Sequence, residues 1–96
     1  MIEKVIAEFK TQETAKNALC NFGVEKQTKV CIEECAELIV ALNHFERGKA
    51  DAKSVITEIA DVIIMCLQMA ERFGEEQVAD EMVYKLDRLQ QRINNR

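Results

Sequence analysis

The sequence predicts an all-α fold, a four-helix bundle-forming chain, and three observations carry that prediction. There is no proline to break a helix. The only glycines, Gly23, Gly48 and Gly74, fall between stretches of helical character rather than inside them. Within those stretches apolar residues recur at three- and four-residue intervals, the period of one helix face.

Each helix follows from its own pattern. The first is expected over about residues 2–20, with Ile2, Val5, Ile6, Phe9, Ala15, Ala18 and Leu19 as a loose apolar stripe. Asn21, Phe22 and Gly23 read as a turn. The second runs from about Glu25 to Arg47 and stops at Gly48, a residue suited to the position just past a helix end. Asp51 can cap the third, which continues to Phe73 and stops at Gly74. The fourth covers about Glu75 to Ile93, with Val78, Met82, Leu86, Leu89 and Ile93 in helical spacing. Short connections suit antiparallel neighbours in a bundle. The third helix is apolar all round from Val62 to Leu67, so one buried stripe does not describe it. In so small a chain its second covered side is expected to be another subunit; enclosure by the chain's own helices is the alternative.

Composition narrows the function. Ninety-six residues suit a single domain spanning 1–96. A formal net charge of -4 argues against nucleic acid as a partner, which would need a basic face. The longest apolar run is too short to span a bilayer, and the charged first twenty residues do not read as a secretory signal. Cys20, Cys31, Cys35 and Cys66 lack C-x-x-C spacing, and His44 is the only histidine. The four cysteines therefore read as reduced core thiols of a cytoplasmic protein rather than as a zinc site.

Chemistry enters with two matched carboxylate pairs, Glu34 with Glu37 and Glu58 with Asp61. Each is an i, i+3 pair, which places both acids on one helix face. At 100° per residue, Glu34 shares its face with Val30, Leu38, Ala41 and Phe45, and Glu58 shares its own with Val55, Val62, Met65 and Met69. Four acids directed into apolar faces lose hydration and repel one another, so they call for a cation. A shift of 24 residues lays Glu34, Ala36 and Glu37 on Glu58, Ala60 and Asp61, giving the two helices comparable roles. Oxygen ligands select a hard ion, Mg²⁺ or Mn²⁺. A di-iron bundle site would need Glu-x-x-His motifs, and none is present. Such a carboxylate cluster suits phosphate chemistry.

The run Glu33-Glu34-x-x-Glu37, a spacer of twenty residues, then Glu58-x-x-Asp61, resembles the signature of the MazG-like all-α nucleoside triphosphate pyrophosphohydrolases. Flanking words agree: Glu-Cys-Ala-Glu-Leu-Ile, the Arg47-Gly48-Lys49 turn, and Glu-Ile-Ala-Asp-Val-Ile-Ile-Met. The resemblance covers about Gly23 to Arg92. It implies a homodimer or homotetramer of interlocked helices, packed across a subunit interface. It also implies Mg²⁺-dependent cleavage of a (d)NTP to the (d)NMP and pyrophosphate. Carried onto this chain, Glu34, Glu37, Glu58 and Asp61 would be metal ligands. Glu33 would orient or deprotonate the attacking water, and Lys53, Lys85 and Arg88 would hold phosphates. The chain has no tryptophan, which leaves Phe22, Phe45, Phe73 and Tyr84 as candidates to stack on the base. The rival expectation is a non-catalytic helical interaction or regulatory module of the same fold.

Overall fold

A computed structural model describes residues Met1–Arg96. It holds five helices and no strand: α1 (Ile2–Glu8), α2 (Thr11–Phe22), α3 (Val24–Glu46), α4 (Ala52–Phe73) and α5 (Glu75–Asn94). The single helix expected over residues 2–20 is therefore two. Lys10 takes a left-handed conformation, φ 47°, which an α-helix cannot propagate. The Thr11 hydroxyl donates to the Ile6 carbonyl at 3.1 Å, so an orphan carbonyl of the last turn of α1 is satisfied across the break.

The remaining boundaries fall within a residue or two of the sequence pattern. α3 ends before Gly48, whose φ of 71° reverses the chain. The Gly48 and Lys49 amides donate back to Phe45 and His44. Asp51 caps α4, its carboxylate accepting from the Ser54 amide at 3.2 Å. That cap and the short turn bring α4 back along α3.

The α3–α4 pair is the frame of the molecule. Gln27 donates to Gln68 at 2.8 Å and Thr28 to the Met69 sulfur at 3.5 Å. Farther up α3, Glu34 and Glu37 meet Glu58, so the two helices run antiparallel. Helix α2 lies across one side of this pair and supplies Ala15 and Leu19 to a small core with Met65. Gln27 and Gln68 are the only buried polar residues, and each satisfies the other in that core.

Only five of the 96 residues are buried. The surface is 7757 Å², against about 5,600 Å² for a compact monomer of this mass. The radius of gyration is 15.5 Å, against about 12.5 Å for a compact chain of this length. The excess lies on apolar faces. Helix α5 packs on α4 alone, and Met82, Leu86, Leu89 and Ile93 are all exposed. On α4, Ile59 and Ile64 are exposed, so the stretch from Val62 to Leu67 is not enclosed by its own chain.

The thiols differ from expectation. All four are free, as expected, but none is a core residue: Cys20 and Cys66 are exposed, Cys31 and Cys35 half-buried. The α3–α4 face that carries three of them is uncovered, because α2 occupies the opposite side.

Candidate metal centre

The site is built by the antiparallel pairing of α3 and α4. Each helix carries its acids near the middle of the shared interface, and the register brings the two sets together. One carboxylate oxygen from each of Glu34, Glu37 and Glu58 lies within 4.8 Å of the other two. Glu34 and Glu58 are half-buried, Glu37 exposed. One oxygen of Glu34 and one of Glu58 are shut off from solvent with no hydrogen-bond partner.

That arrangement is electrostatically costly for the protein alone. Burial pushes the Glu34 carboxyl above the usual range, with the charges of Glu37, Asp61 and Glu58 adding to it. Burial also raises Glu58, helped by Glu37 and Asp61. No lysine or arginine forms an ion pair with any of the four acids. A cluster of acids with orphaned oxygens and no basic neighbour fits a hard divalent cation, which would supply the missing positive charge.

The other sequence candidates occupy varied positions. Asp61 is half-buried and near enough to raise both Glu34 and Glu58, but it stands outside the close trio. Glu33 is exposed and also outside it. Lys53 is exposed in the first turn of α4. Lys85 and Arg88 lie exposed on α5, where the Arg88 guanidinium sits 5.7 Å from the Tyr84 ring centroid. Neither reaches the acids as an ion pair within one chain.

A groove of about 390 Å³ opens directly beside the cluster, with Glu37 and Glu58 in its wall. Ala41, His44 and Ser54 continue that wall. Sequence reasoning placed His44 on the helix surface or at an interface. The available signal was its seven-residue interval from Glu37, two turns along one face. None of Phe22, Phe45, Phe73 or Tyr84 lines this groove. Glu71 also escaped sequence reasoning. Its side chain is 8% exposed, with Lys16 at 4.0 Å on one oxygen and no partner for the other. It buttresses α2 against α4, away from the trio.

Residues 22–93 match the model of the MazG nucleotide pyrophosphohydrolase domain, and the chain belongs to that family. The match takes in all of α3 and α4 and nearly all of α5, and leaves α1 and most of α2 outside. No curated protein and no solved structure matches the chain.

Proposed function

We propose that this protein is a Mg²⁺-dependent nucleoside triphosphate pyrophosphohydrolase that converts a (d)NTP to the (d)NMP and pyrophosphate. The observation that carries this reading is the convergence of Glu34, Glu37 and Glu58 from two facing helices, in a chain whose family is described by that activity. Glu34, Glu37, Glu58 and Asp61 hold the metal, Asp61 by a side-chain rotation that brings it to the trio. The bound ion, Mg²⁺ or in its place Mn²⁺, neutralises triphosphate charge and lowers the pKa of bound water. The protein's own part is to present carboxylates that gain most from a cation, because their environment penalises their negative charge. Exposed Glu33, beside the trio on α3, accepts the proton of the attacking water. Lys53 meets phosphate oxygens from the start of α4.

Lys85 and Arg88 complete the phosphate site from a neighbouring subunit in a homodimer or homotetramer. Support for assembly is the surface excess of about 2,100 Å² per chain and the exposed apolar face of α5. Obligate interfaces bury roughly 2,000–5,000 Å² in total. A cytoplasmic setting fits the four free thiols. No helix is long and apolar enough to cross a membrane.

The test is a panel of NTPs and dNTPs with Mg²⁺, read by pyrophosphate release. At least one nucleotide should yield monophosphate and pyrophosphate in equal amounts. Glu37→Gln and Glu58→Gln should each reduce turnover by more than about 100-fold, beyond the loss seen when only a neighbour of a ligand is changed. No release from any nucleotide, with no Mg²⁺ binding by calorimetry, would leave the non-catalytic module as the better reading.

A further inference from the structure

The acids are not the only ligand-bearing side chains that α3 and α4 bring together. Cys31 and Cys35 stand one turn apart on α3. Cys66 belongs to α4, and the register of the pair places it. The Thr28–Met69 hydrogen bond fixes an antiparallel alignment in which three steps up α3 match three steps down α4, so Cys31 falls opposite Cys66. Cys31 lies against both Cys35 and Cys66. The Met69 thioether lines the same shallow groove as Cys31 and Cys35. Four sulfurs therefore gather on the face of α3–α4 turned away from α2.

Distance decides what such a group can do. Side chains at i, i+4 on a helix have Cβ atoms about 5–6 Å apart. A disulfide needs roughly 3.5–4.5 Å, so Cys31 and Cys35 do not bridge each other directly. Two metal–thiolate bonds of about 2.3 Å span that gap. Thiolate and thioether ligands without nitrogen or oxygen select a soft ion. Cys66 is exposed and free to rotate, so the third thiol can close on an ion held by the other two.

We propose that Cys31, Cys35 and Cys66 form a second metal site, separate from the carboxylates, which takes one soft monovalent cation of the Cu(I) class with Met69 alongside. Binding displaces thiol protons to solvent and changes no oxidation state. The same two helices then carry a hard-ion site and, a turn away, a soft-ion site.

The test uses the full-length reduced protein under anaerobic conditions, titrated with Cu(I) against a chromophoric chelator. The expected result is one ion per chain. Affinity should fall by at least on the order of tenfold in each of Cys31→Ser, Cys35→Ser and Cys66→Ser. Cys20→Ser on α2 should bind as the unaltered protein does. A second measurement needs no variant: bound Cu(I) should protect Cys31, Cys35 and Cys66 from alkylation, mapped by peptide mass spectrometry, and leave Cys20 reactive. The proposal is overturned if the chelator strips all copper, if binding survives the three serine changes, or if protection is equal at all four cysteines.

Discussion

At the scale of single residues, the acids make pH a reporter of the site. The folded-state pKa values of Glu34 and Glu58 lie above their ordinary 4.5. A carboxyl raised on folding holds its proton more firmly in the native state. Its contribution is therefore fully present below 4.5 and lost as pH rises through the raised value. The metal-free protein is expected to melt at falling temperature as pH rises from about 4.5 toward neutrality. Mg²⁺ should reverse that trend, because metal binding requires the ionised form. Thermal melts across this range, with and without Mg²⁺, check both statements. Glu34→Gln should raise the melting temperature of the metal-free protein and abolish its Mg²⁺ response. If metal-free stability is flat with pH, the crowding of these carboxylates is not energetically felt.

At the scale of the helix, two features lend themselves to measurement. The first is the buried Gln27–Gln68 hydrogen bond. Gln27→Leu leaves Gln68 without its main partner and should cost about 1–3 kcal/mol in urea unfolding. Gln27→Leu with Gln68→Leu should cost clearly less than the two single changes added together, since no buried amide is then stranded. The second is Lys10, held at φ 47° between α1 and α2. Lys10→Gly should stabilise by up to about 1 kcal/mol, and Lys10→Val should destabilise, by the known cost of that backbone region for a side chain.

The same features show where the sequence was readable. Gly48, Asp51 and Gly74 announce the limits of α3 and α4 because turn and cap chemistry demands particular residues there. Glu34, Glu37 and Glu58 were legible because helical spacing converts directly into a shared face. Lys10 was not, since lysine is a good helix former and nothing in its type marks a left-handed position. The thiols were misread as core because the tendency of free cysteine to be buried says nothing of which face a partner helix covers. The slight offset of Asp61 depends on side-chain rotation, which spacing does not encode.

At the scale of the whole molecule, the missing interior is the leading fact. A chain with five buried residues and a bare amphipathic α5 has arranged its apolar surface for contact outside itself. Leu86→Glu combined with Leu89→Glu should lower the assembly state in sedimentation equilibrium. It should also cut pyrophosphohydrolase activity by at least about tenfold, since Lys85 and Arg88 are then withdrawn from a neighbouring site. Unchanged mass in the double variant would place the subunit contact on another face, such as that of Ile59 and Ile64.

The placement of every acid on one helical hairpin also bears on how the chain folds. Its helices are joined by the short Arg47–Asp51 turn, so the contacts that assemble the carboxylates are close in sequence and form early. Mutual repulsion then opposes the first long-lived structure, before α1, α2 or α5 has docked. Mg²⁺ is expected to accelerate refolding in stopped-flow experiments and to change unfolding rates much less, the kinetic signature of an interaction already made in the transition state.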